Sequence, residues 1–214
     1  MPEPMIVVEM AAPHVAVVAL NRPPVNAMST AIREEFVAVF DRLGDDPAIR
    51  AIILTGRGKL FCAGADIKEK RDLAAADGGY AKANRLTRDS FFALLESPKP
   101  VIAAVNGGAL GAGFVMAACC DLIVASEDAF FAMPEIDVGQ GGGAAFLQRI
   151  MPQSKMRRMM LTGERIGARE FHRLGIIEEC VPAVDLLTAA VSIASTIAEK
   201  SPTAVRTIRR SFNT

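Results

Sequence analysis

Histidine is scarce in this chain: His14 and His172 are the only two, and they lie far apart with no Cys, His or carboxylate cluster around them. A zinc centre is therefore not expected. The four cysteines, Cys62, Cys119, Cys120 and Cys180, have neither CxxC spacing nor the pattern of a disulfide framework. They read as reduced, mostly buried thiols of a cytoplasmic protein. Net charge is also lacking, with 24 Lys plus Arg against 24 Asp plus Glu. That argues against an extended nucleic-acid footprint, although a local basic patch for a phosphorylated ligand stays open. No apolar run reaches the roughly 18–20 residues of a membrane span, so no membrane partner is expected. The opening Met1-Pro2-Glu3-Pro4 has no basic n-region or apolar core of a secretory signal. A Walker-type Gly-Lys-Ser/Thr and a GxSxG are both missing, which removes the usual marks of a P-loop and of a nucleophile elbow.

What is present is apolar and patterned. Hydrophobic residues make up 51% of the 214 and charged residues 22%, enough for a large core and too apolar for disorder. Residues 5–10 and 14–20 are rich in Val and Ile and read as two strands; both alternating sets of the second are apolar, so it is expected to be buried on both faces. Ser29 or Thr30 caps a predicted helix whose Ile32, Phe36, Val39, Phe40 and Leu43 recur at helical spacing. Short apolar strands are expected at 51–54, 101–105, 122–125 and 129–132, and a helix at 81–95. The polar, Ala-rich stretch from 66 to about 80 reads as mobile. From residue 144 onward the pattern is mainly helical, with 178–181 as the single strand. Strands and helices alternate early and helices dominate late, which gives an α/β core over 1–185 and a helical region over 186–214.

Three glycine-containing segments are candidates for chemistry. They are Phe61-Cys62-Ala63-Gly64-Ala65-Asp66-Ile67-Lys68, then Asn106 through Gly113, then Met133-Pro134-Glu135-Ile136-Asp137-Val138-Gly139. The glycines at 108, 111 and 113 run G-x-x-G-x-G, the reverse of the dinucleotide fingerprint, and no βαβ unit with a ribose-binding acid accompanies them. A Gly/Ala-rich turn opening a helix leaves backbone N–H groups unpaired and places the positive end of the helix dipole beside them. Two such groups from separate loops can hold an oxygen as it becomes an oxyanion. The same glycines also serve tight turns and close helix packing, so composition alone leaves both readings open.

Together with Leu20-Asn21-Arg22-Pro23, Pro100 through Gly107, Cys120 through Ala125, Pro134-Glu135 and Leu161 through Ile166, these segments resemble the enoyl-CoA hydratase/isomerase (crotonase) superfamily in order and spacing over essentially the whole chain. The resemblance implies a crotonase-like spiral of ββα units followed by a C-terminal helical region. It also implies an acyl-CoA thioester substrate, no cofactor beyond the coenzyme A of that substrate, and assembly as a homotrimer or hexamer. The family's oxyanion-hole positions fall on Ala65 and Ala112, acting through their N–H groups. Its substrate contacts fall on Arg22, Val25, Ala27, Ala65, Asp66, Ile67 and Lys68, with Gly111 and Val115 by the acyl group. Arg22 and Lys68 are candidates for the phosphates, or else ordinary surface cations.

The acid–base positions depart from the family's hydratase pattern. Hydratases of this family use two glutamates; the one in the Pro-Glu segment is present as Glu135, and the other position is Val115. A single carboxylate resembles the superfamily's double-bond isomerases. The resemblance therefore points to an enolate-stabilising enzyme with Glu135 as sole general acid/base. Hydration of an unusual unsaturated acyl-CoA, cyclic ones included, or a non-catalytic CoA-thioester scaffold remain as alternatives. Asp137 is a possible second acid, sharing a face with Glu135 if the segment is extended. Family chains usually continue past the equivalent of Thr214, so either a neighbouring subunit completes the acyl pocket or the natural chain extends further.

Overall fold

The second strand explains the architecture. In the computed structural model, which describes residues 4–74 and 79–212, all six residues of Val15–Leu20 are buried. Ala16, Val18 and Leu20 enter one core, while Val15 and Val17 enter another on the opposite face of the sheet. A strand with apolar residues on both faces belongs inside an α/β sandwich, because each face must be covered.

In chain order the first half comprises β1 (Ile6–Ala12), β2 (Val15–Leu20), α1 (Thr30–Asp45), β3 (Ala51–Gly56), β4 (Leu60–Cys62), α2 (Ile67–Ala74) and α3 (Gly79–Leu95). Next come β5 (Val101–Val105), β6 (Gly108–Leu110), α4 (Ala112–Cys119), β7 (Leu122–Ser126), β8 (Phe130–Ala132) and a 3-10 turn, Pro134–Val138. The remainder is α5 (Ala144–Leu147), α6 (Gln153–Thr162), β9 (Ile166–Gly167), α7 (Ala168–Arg173), β10 (Glu179–Val181), a 3-10 turn at Ala183–Asp185, α8 (Leu186–Ala198) and α9 (Pro202–Phe212).

Two sheets result, ordered β1-β2-β3-β5-β7-β10 and β4-β6-β8-β9. Apart from the β1–β2 and β8–β9 pairs, every neighbour is parallel. Successive strands enter alternate sheets, with β3 in the first and β4 in the second, then β5 and β6, then β7 and β8. Each pair is followed by helix, so the chain climbs as a spiral of ββα units, as expected. The second face of the larger sheet is covered by α8. Its Ala190, Ala194 and Ala198 are small and four residues apart, which lets the helix lie against Ala51, Ile53, Ile102 and Ala104. Helix α9 is anchored by Arg209, whose Nε donates to Asp121 Oδ2 at 2.7 Å and whose Nη2 donates to the Leu94 carbonyl at 2.5 Å.

Several expectations change. His14 is in a turn at φ 65 rather than in a strand. Strands β4 and β6 lie inside the glycine-rich segments, and β9 joins β10 in the back third, where a single strand was expected. The stretch read as mobile holds α2 and the start of α3, and its residues 75–78 fall outside the described residues. The cysteines are free, with Cys62, Cys119 and Cys120 buried and Cys180 half-buried. Among the described residues no helix is long and apolar enough to cross a membrane.

Candidate active site

The three glycine-containing segments converge because their strands are neighbours in the smaller sheet. The loop before α1 is fixed first. Asn26 is buried at φ 54, and its amide donates to the carbonyls of Arg57, Leu60 and Phe61 at 2.9, 2.8 and 3.2 Å. That ties the loop to β4 and delivers Met28 to the segment after it. Met28 N–H donates to the Gly64 carbonyl at 2.8 Å, and Asp66 N–H donates to the Met28 carbonyl at 3.2 Å. In this parallel bridge the residue between the two partners turns its own N–H to the opposite side. That residue is Ala65.

The second donor comes from the start of α4. Gly111 sits at φ 52, ψ −120, a conformation open to glycine and strained for other residues. Its carbonyl accepts the first helical bond, from Val115 N–H at 3.0 Å, so Ala112 is the first helical residue. Its N–H has no acceptor within the helix. The two loops nearly touch. A Cβ on Gly64 would lie 2.7 Å from the Leu110 carbonyl oxygen and 3.3 Å from the Ala112 nitrogen. Glycine at 64, held at φ 90, is what permits that approach.

Glu135 arrives from below. Pro134 opens the 3-10 turn, where its missing N–H is no loss. Gly139 closes it in the left-handed conformation at φ 67. The carboxylate of Glu135 lies against the Gly111 backbone, where a Cβ would overlap Oε1. Its Oε2 is buried with no hydrogen-bond partner. Burial pushes its carboxyl pKa up from the ordinary value, opposed by its own backbone hydrogen bond and by the charge of Lys70. A carboxylate half removed from water and bonded to little is a stronger base than a solvated one.

Ala65, Asp66, Ala112, Val115 and Glu135 line one cavity of about 240 Å³. Val115 is 2% exposed and supplies only methyl groups to the wall. Arg22, Val25, Ala27, Ile67, Lys68 and Gly111 are not among the residues lining it. Gly111 backs Glu135, and Val25 accepts the Ala63 N–H at 3.0 Å. Arg22 is engaged within the chain, donating from Nη1 to the Ala27 carbonyl at 2.8 Å and from Nη2 to Asp66 Oδ2 at 2.7 Å. Asp66 also accepts the N–H groups of Lys68 and Glu69 at the start of α2. The Glu69 and Arg22 bonds hold its carboxyl pKa below the ordinary value. Ile67 and Lys68 are exposed.

Asp137 is corrected. In a 3-10 turn residues two apart do not share a face, and its carboxylate lies toward Gly163, outside the cavity lining. Met28, Arg33 and Phe91, which the sequence did not single out, also line the cavity, as do Thr30, read as a helix cap, and Met133, at the head of the third glycine-containing segment. Arg33 alone carried a signal, as a charge three and seven residues before Phe36 and Phe40 on the apolar face of α1.

Comparisons with known proteins identify the family and the fold. The family model described as enoyl-CoA hydratase/isomerase matches residues 11–214. A Mycobacterium bovis relative bearing an enoyl-CoA hydratase name is 41% identical over 208 residues, covering 94% of this chain and 78% of that protein. The carnitinyl-CoA dehydratase of Proteus mirabilis is 36% identical over 199 residues, covering 91% and 75%. The crystal structure of enoyl-CoA hydratase from Bacillus anthracis superposes with a TM-score of 0.91 at 34% identity, over 97% of this chain and 81% of that one. The chain belongs to the enoyl-CoA hydratase/isomerase family of acyl-CoA enzymes.

Proposed function

We propose that the cavity binds an acyl-CoA thioester with its carbonyl oxygen between the N–H groups of Ala65 and Ala112, and that Glu135 moves the proton. The observation that carries this reading is the meeting of a half-buried carboxylate, whose Oε2 has no hydrogen-bond partner, with Ala65 and Ala112 in a single cavity. Removing a proton beside the thioester carbonyl sends charge onto its oxygen. Donors fixed in place before reaction stabilise that charge by roughly 2.7–4 kcal/mol each. Glu135 then returns the proton to a different carbon, which shifts the double bond. A positioned base of this kind contributes typically 10²–10⁴-fold.

Val115 favours isomerisation over two-carboxylate hydration, since a valine neither accepts a proton nor orients water. The hydratase and dehydratase names of relatives favour the second reading, in which Glu135 alone activates water. Exposed Lys68 would meet coenzyme A phosphates in this reading, with Arg22, Val25, Ala27, Asp66 and Ile67 as the further substrate contacts. Assembly as a homotrimer or hexamer fits the exposed Ile208 and Phe212, four residues apart on α9.

A panel of 2-enoyl- and 3-enoyl-CoA thioesters assayed for double-bond shift, for water addition and for binding separates the readings. Isomerisation without hydration supports the first, and hydration alone supports the second. Binding with neither reaction leaves a scaffold.

A further inference from the structure

Helix α1 buries one charge on its apolar face. Arg33 is 3% exposed, on the same helix as the buried Phe36 and Phe40. Its Nη1 donates to Ser90 Oγ on α3 at 2.8 Å. Its Nη2 is buried and has no hydrogen-bond partner. Burial draws its pKa down to about 10, opposed by the charge of Glu69, which leaves it a cation at neutral pH. Glu69 makes no ion pair with it among the described residues; its Oε2 accepts the Thr30 N–H at 2.8 Å. Asp66 is likewise engaged, by Arg22 and by the first N–H groups of α2. Lys70, the other cation of the lining, donates to Gln140 Oε1 at 2.6 Å.

Arg33 lines the same cavity as Ala65, Ala112 and Glu135. A guanidinium kept only to join α1 to α3 would be a poor structural choice. It leaves a buried charged donor without an acceptor from the protein, whereas an apolar residue of similar volume would pack without that penalty. The cavity that Arg33 lines is the nearest place from which an acceptor can reach it. A guanidinium fork matches a carboxylate in shape and charge better than it matches a hydroxyl or a carbonyl.

We infer that Arg33 is a specificity-determining residue and that the acyl group carries a second carboxylate, so that the substrate is the monothioester of a short dicarboxylic acid. This rests on the reading of the cavity as the acyl-CoA site. Thioester carbonyl and distal carboxylate would then be held at separate points, the first by Ala65 and Ala112 and the second by Arg33, with Glu135 acting on the carbons between them.

Calorimetric titration with freshly prepared saturated thioesters, which have no double bond to shift or hydrate, tests it. The probes are succinyl-, glutaryl- and adipyl-CoA, each against a partner whose carboxylate is replaced by an isopropyl group. The wild type should bind at least one dicarboxylic member roughly ten- to a hundredfold tighter than its partner. Arg33→Met should abolish or reverse that ratio. Arg33→Gln keeps a donor for Ser90 Oγ and should abolish it too, while Arg33→Lys retains part of it. Because the readout is a ratio within one variant, a general loosening of the fold does not mimic it. A wild-type ratio of one or below across the series overturns the inference, as does a ratio untouched in folded Arg33→Gln. If no thioester of either kind binds the wild type, the acyl-CoA reading of the cavity fails and takes this inference with it. Binding of both kinds with equal strength sinks the role of Arg33 alone.

Discussion

Glu135 rests its carboxylate on the backbone of Gly111, so closely that a Cβ at position 111 would overlap Oε1. The absent side chain of one residue is the seat of the other. Helix α4 begins at that same glycine, so the position of the proposed base and the direction of the proposed Ala112 donor are set together.

Gly111→Ala should therefore damage both. The methyl group pushes the carboxylate away, and alanine at φ 52, ψ −120 adds strain of roughly 1–3 kcal/mol. A misplacement of about 1 Å in reacting groups can reduce rate about 10²-fold. The variant should fold with a lowered denaturation midpoint and lose about two orders of magnitude in kcat. Near wild-type turnover from a folded Gly111→Ala protein would show that Glu135 has no need of this seat.

Glu135→Gln separates chemistry from stability. Burial raises the native pKa of Glu135 above its unfolded value, so the native state holds the proton more tightly. Its contribution to stability is full below the ordinary carboxylate value of about 4.3. It is lost as pH rises through the raised native value. At neutral pH the ionised group is a net burden on the fold, and glutamine, which has the shape of the protonated acid, does not carry it. The variant should be more stable at pH 7 by roughly 0.5–1 kcal/mol, with the difference closing near pH 4. It should also lose solvent deuterium exchange into a bound acyl-CoA while still binding it. Thermal melts across that range check the first part, and a variant destabilised at pH 7 would contradict the assigned environment. Exchange at the wild-type rate would falsify the proton-carrying role.

The large sheet was legible because its strands announce themselves. Val15–Leu20 and Val101–Val105 are continuous apolar runs, which a doubly covered parallel sheet requires. The smaller sheet was hidden for the opposite reason. Strands β4, β6 and β9 are only three, three and two residues long, and β6 and β9 contain glycine, so no alternation could be read in them. Yet β4 and β6, beside the expected β8, bring Ala65, Ala112 and Glu135 to one cavity. The motifs marked these residues, whereas the distances between them depend on parallel pairings far apart in sequence. Arg33 was overlooked since a helix cap and an apolar stripe explained α1 without it. Its burial and its contact with Ser90 depend on α3, about sixty residues away.

Val115→Glu adds a second carboxylate to a wall that is 2% exposed. An ionised group with no partner there is costly, and the protein is expected to lose roughly 1–3 kcal/mol of stability at neutral pH. If the single-carboxylate reading is right, the variant should gain water addition to a 2-enoyl-CoA while its double-bond shift slows. Chromatography of the thioester products measures both. Hydration already fast in the wild type, and unchanged in the variant, would remove Val115 from the account of reaction type.

Ala112 offers the cleanest test of the oxyanion donors, because position and chemistry can be changed separately. It is the first residue of α4, where proline is tolerated in a helix since the N–H it lacks has no helical partner. Ala112→Pro therefore deletes the proposed donor at one of the few places where the helix should survive. Ala112→Gly keeps the donor and removes only a methyl group, at a modest cost in helix propensity. If the N–H holds the enolate oxygen, the proline variant should lose roughly 2.7–4 kcal/mol of transition-state stabilisation, a fall of about 10²–10³-fold in kcat. The glycine variant should stay within about tenfold of wild type. Binding of the ground-state thioester should change much less than kcat in the proline variant, because charge reaches the oxygen mainly in the transition state. Circular dichroism confirms that both fold before rates are compared. Two folded variants of equal activity would place the oxyanion somewhere other than between Ala65 and Ala112.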